Sequence, residues 1–188
     1  MTLTIALIAL AVLAMAGVYI SWRAGRLDRM HTRMETARAS LDLALVRRSS
    51  VALELASSGL LDPAASLVLA DSAHAARSAR TGRELAESDL TRSLRVLLGQ
   101  PGFRDSLAGR EHADELLAEL EAAAHQVFLA RKFYNSAVET TIAARRRPLA
   151  RVLRLAGSAP MPEFFEIDDS LTPPGLEEQG TDMPHLAG

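Results

Sequence analysis

Residues 116–148 read LLAELEAAAHQVFLARKFYNSAVETTIAARRRP, and their spacing decides the fold. Leu116, Leu120, Ala123, Ala124, Val127, Phe128, Ala130, Phe133 or Tyr134, Ala137, Val138, Thr141 and Ile142 recur every three or four positions. That is the period of an α-helix with one buried stripe. The period-two alternation of a half-buried strand does not appear convincingly here or elsewhere in the chain. The helix is expected to begin between 102 and 110. It should stop before Pro148, which lacks an N–H donor and clashes with the preceding turn.

The same period runs upstream. Met30, Met34, Ala37, Leu41, Ala44 or Leu45, Arg48, Ala52 and Leu55 form a second stripe, apolar except at Arg48. It ends at SSGLLDPAAS, where Gly59 suits the position after a helix, Asp62 an N-cap and Pro63 the first turn of the next helix. That next helix is expected over about 63–87, with Gly82 weakening its far end. SDLTRSLRVLLGQPG, residues 88–102, predicts a short helix capped by Ser88 or Asp89 and closed by Gly99 and Pro101. With few aromatics, the core must be Leu, Ala and Val, which suits closely packed helices. The fold class that follows is all-α: an N-terminal transmembrane helix, then a small antiparallel bundle of three long helices plus one short.

Residues 2–20, TLTIALIALAVLAMAGVYI, carry neither charge nor proline. As a helix they span roughly 29 Å, about one hydrocarbon core. Tyr19 and Trp22 fall at the far end, where amphipathic aromatics favour the interface. A cleaved signal peptide is the competitor, but no basic residue precedes the run and no clear cleavage site follows it. The lipid bilayer is therefore the expected partner of residues 2–20. Arg23, Arg26, Arg29 and Arg33 then favour a single-pass protein of the cell membrane with its soluble domain in the cytoplasm. The domains read as an anchor over 1–22, a helical bundle over 23–166 and a disordered acidic tail over 167–188.

The chemistry-bearing residues exclude more than they suggest. There are no cysteines, which removes disulfides, thiolate catalysis and Cys-bound metals. No nucleophile elbow, phosphate-binding glycine loop or zinc-protease motif occurs. His112 and Glu115 share a helical face, but no second histidine joins them. No metal, cofactor or enzymatic role is therefore expected. The net charge of −2 gives no pull toward nucleic acid. The run Arg145, Arg146, Arg147 suits a helix C-terminus, and it also suits anionic headgroups or an acidic partner.

Residues 130–142, ARKFYNSAVETTI, resemble the signature of the LemA family near the end of its last long helix. Arg131, Phe133, Tyr134, Asn135, Val138 and Ile142 occupy matching places. Phe164, Phe165 and the following Glu166 resemble the family's aromatic-aromatic-acid ending, and Arg47-Arg48 a paired basic patch in its first soluble helix. Thr141 departs from the pattern, and AARRRPLARVL replaces an aromatic–proline segment. The resemblance implies a divergent bacterial, membrane-tethered helical bundle without an assigned reaction. From the residues themselves, Phe133, Tyr134, Ala137 and Val138 suit packing, Asn135 a hydrogen bond to a neighbour, and Phe164 and Phe165 a lid over one bundle end. The expected function is a membrane-anchored scaffold or adapter with an unidentified protein partner. The alternatives are a small-ligand or enzyme pocket near Tyr134 and Asn135, and lipid sensing through Arg145–Arg147.

Overall fold

A computed structural model describes residues 1–146 and 161–169. The described residues contain five helices and no strand: α1 (Thr2–Ser57), α2 (Pro63–Ser78), α3 (Arg83–Leu98), α4 (Phe103–Leu107) and α5 (Ala113–Arg145). The chain divides into two compact units. Unit 1 comprises Met1–Ala39 and Phe133–Phe164, and unit 2 comprises Ser40–Lys132 and Phe165–Gly188.

The helix boundaries follow local chemistry. Gly59 has φ +73°, a left-handed conformation that costs glycine little, and it sits just past the end of α1. Asp62 caps α2, its Oδ1 accepting from the N–H groups of Ala64 and Ala65 at 3.0 Å each, and Pro63 occupies the first turn. The expected helix over 63–87 is corrected: α2 ends at Ser78, and α3 begins at Arg83 after Gly82 at φ +65°. Ser88 and Asp89 thus lie inside α3 rather than at its cap, and Asp89 pairs with Arg92 at 2.6 Å. Two helices of 16 residues replace the expected long and short pair. The five-residue α4 adds an element that the periodicity missed, because five residues hold little more than one helical period.

Unit 2 has one apolar core to which every helix contributes. Ala52 and Leu55 of α1 join Leu69 and Ala73 of α2, Leu90 and Leu94 of α3, Leu107 of α4, and Leu117 and Leu120 of α5. Alanines at these positions let helix axes approach closely. The turn after α1 and the segment before α5 are tied by Arg110, which donates to the carbonyl oxygens of Gly59 and Leu60 at 2.8 Å each. Further along the same helices, Arg47 meets Glu119 at 3.4 Å.

In unit 1, Val138, Thr141 and Tyr134 are buried. The Tyr134 hydroxyl donates to the Glu163 carbonyl at 3.0 Å, fastening residues 161–164 to α5. The first 18 residues of α1, Thr2–Tyr19, are apolar enough to cross a membrane and none is buried.

Candidate functional site

The most unusual chemistry lies inside unit 2. Arg48 sits on the buried stripe of α1 between Leu45 and Ala52, and its side chain is 1% exposed. A lone cation there costs several kcal/mol unless it is paired and hydrogen-bonded. Helix α3 supplies the partners one turn apart. Arg48 Nη2 donates to Glu87 Oε2 at 2.8 Å and to the Glu87 carbonyl at 3.2 Å. Nη1 donates to Thr91 Oγ1 at 3.0 Å. Thr91 in turn donates to the Glu87 carbonyl at 3.0 Å. Arg83 Nε lies 3.7 Å from Glu87 Oε1, and Arg83 Nη1 reaches Asp42 Oδ1 at 2.7 Å. The cluster thus runs from Asp42 to Thr91 along the α1–α3 contact.

Burial pushes the Glu87 carboxyl above its ordinary value, and the guanidinium of Arg48, then that of Arg83, opposes the shift. A raised carboxyl is often a catalytic acid, but only where substrate can reach it. Glu87 is sealed, so the pair acts as a polar lock that fixes how α1 meets α3. The sequence stripe exposed Arg48 as its one charged member. The signal that could have found Glu87 was the need for an acid on a facing helix.

The residues singled out by sequence do not form one site. Tyr134 is buried and its hydroxyl is spent on the Glu163 carbonyl. Asn135 is half-buried. Val138 is fully buried and Ile142 half-buried. Phe133 is a correction: expected in the core, it is 69% exposed. It directly precedes buried Tyr134, and adjacent helix positions point about 100° apart. Phe164 is also exposed, so of the expected lid pair only Phe165 is half-buried. Arg145 lies against the Met161 sulfur at 4.0 Å, and Arg146 is exposed. Arg147 lies outside the described residues, as do 170–188 of the expected tail.

Arg131 finds a partner that the signature did not suggest. Its Nε donates to Asp169 Oδ2 at 2.6 Å and its Nη2 to Oδ1 at 3.0 Å. Ile167 is buried, and Asp168 pairs with Arg95 at 2.7 Å. Residues 167–169, expected to begin the disordered tail, are therefore held against α3 and α5 within unit 2. A separate open groove of about 290 Å³ lies between α2 and α3, lined by Asp62, Ala65, Val68, Ser93, Val96 and Gln100 among others. Tyr134 and Asn135 do not line it. Among the described residues no cluster of His, Asp and Glu could hold a metal ion. His112 stands outside α5 at φ +62°, which separates it from the helical face expected to carry it with Glu115. No family model, curated protein or solved structure matches the chain.

Proposed function

We propose that the chain is a membrane-anchored helical adapter, held by residues 2–20 in a single pass, whose antiparallel bundle is presented to a protein partner in the cytoplasm. One observation carries the reading: α1 is apolar and exposed over Thr2–Tyr19, yet supplies core residues from Leu41 to Leu55. A segment left wholly exposed in water would cost roughly 1.5–3 kcal/mol for each large apolar side chain, and a bilayer removes that cost. The arginines at 23, 26, 29 and 33 support the cytoplasmic orientation. The LemA resemblance supports the same architecture. The ligand-pocket alternative has less support, because the Tyr134 hydroxyl already serves the fold.

The test is membrane fractionation of the full chain, with mass spectrometry of its N-terminus and photo-crosslinking from exposed α2 and α3 positions. The adapter reading expects carbonate-resistant membrane retention, an intact N-terminal segment and a reproducible protein adduct. A mature chain starting beyond residue 20, or no reproducible adduct, sinks it.

A further inference from the structure

Residues 166–169 lie on α3 and α5 as a bound peptide would. Their main chain is read at two points: the Glu166 N–H donates to Glu84 Oε1 at 2.7 Å, and the Asp168 N–H donates to Ser88 Oγ at 3.1 Å. Their side chains are read at three. Ile167 is buried, Asp168 meets Arg95, and Asp169 takes both nitrogens of the Arg131 fork. Such two-point pairing is directional and fits the planar carboxylate that occupies it here. The Arg131–Asp169 pair is also shielded, with the side chains 24% and 12% exposed, whereas Arg95–Asp168 is open to solvent. One aliphatic anchor, one shielded carboxylate and main-chain contacts are the means by which a groove reads a short linear motif. A segment tethered to its own site has an effective concentration on the order of millimolar, so modest contacts suffice to hold it.

We infer that the α3–α5 face around Arg131 is a docking groove for an acidic linear motif of a partner protein. The motif is an aliphatic residue followed by two carboxylates, and the chain's own residues 166–169 fill the groove here. This deepens the adapter reading by giving the partner's chemistry, and rests on it for the partner being a protein.

The test uses the full chain in detergent micelles and a fluorescein-labelled peptide of sequence FEIDDS. The double substitution I167S/D169N empties the groove. It is expected to tighten peptide binding by about tenfold or more over the native chain, since the tethered competitor is lost. Adding R131Q should abolish that binding, and a peptide with both aspartates changed to asparagine should not bind. A folded I167S/D169N chain that fails to bind, or binding that survives R131Q, overturns the groove. If I167S/D169N does not fold, deuterium exchange at the Glu166 and Asp168 amides of the native chain decides. Excess peptide is expected to accelerate it, and unchanged exchange overturns the proposal. Self-association of the native chain that R131Q abolishes would make a second copy the occupant and overturn the partner. None of these arms reads membrane retention, so loss of the anchor would sink the adapter reading and leave the groove standing.

Discussion

Arg48 shows how one side chain constrains two helices. Its guanidinium cannot leave the α1 stripe, so α3 must bring Glu87 and Thr91 to it, and sliding one helix past the other strands the charge. Breaking such a pair is far more costly than replacing it. Arg48→Met alone and Glu87→Leu alone are each expected to lose about 3–5 kcal/mol of unfolding free energy, whereas the double variant falls close to the native chain. Chemical denaturation of all four chains reads this directly, and additive losses in the double variant would remove the lock. The pH dependence has a definite sign. Burial raises the Glu87 carboxyl above its ordinary value of 4.5, so the folded chain holds that proton more tightly than the unfolded chain. The associated stability is fully present below the unfolded pKa and is lost as pH rises through the folded one. The stability of the native chain relative to Glu87→Gln should therefore decline as pH climbs from below 4.5 through that raised value. A difference that stays flat or grows with pH contradicts the assignment.

Between α2 and α3 the decisive residue is glycine, and a glycine can be read two ways. Gly82 holds φ +65° before α3, with open space where a Cβ would stand. Gly82→Ala should therefore cost about 1–2 kcal/mol from backbone strain alone. Gly25, inside α1 with the same open space, should respond in the opposite sense, Gly25→Ala gaining about 0.5–1 kcal/mol from helix propensity. Thermal unfolding of the two variants checks the pair, and a shared sign would mean that Gly82 is not a required break. This explains what the sequence disclosed and what it withheld. Long stripes made the helices of Leu41–Leu55 and Leu116–Ile142 legible, and Asp62-Pro63 marked one boundary because its chemistry is local. The turn over 79–82 was not legible, since alanine-rich flanks favour continued helix and only burial of Ala73 and Ala76 in one core with Leu90 and Leu94 demands a reversal. Phe133 was misread because the apolar ladder offered it and Tyr134 as alternatives, and only tertiary contact selects between them. The Asp168 and Asp169 contacts were hidden for another reason: composition assigns an acidic stretch to disorder unless its basic partners on other helices are known.

At the scale of the whole chain, α1 combines two kinds of surface in one element. Its first 18 residues leave every large apolar side chain exposed, and one face of its last third, with Leu41, Leu45, Val51, Ala52 and Leu55, is buried. Leu7 and Leu10 lie near the middle of the apolar run, where an arginine costs about 2.5–3.5 kcal/mol of insertion free energy. Two such substitutions together remove most of the drive for a single helix to stay in a bilayer. Under the proposed anchoring, Leu7→Arg with Leu10→Arg should therefore move the chain from the carbonate-resistant pellet to the soluble fraction. Unit 2 keeps its own core from Val51 to Ala123, to which neither position contributes. Its cooperative unfolding should accordingly be unchanged in the same variant. The two measurements separate the roles within one helix. Release with an unaltered unfolding transition assigns Thr2–Tyr19 to the membrane alone. Release accompanied by loss of that transition would mean that the apolar segment serves the fold, and retention of the doubly charged variant would mean that something other than these residues holds the chain at the bilayer.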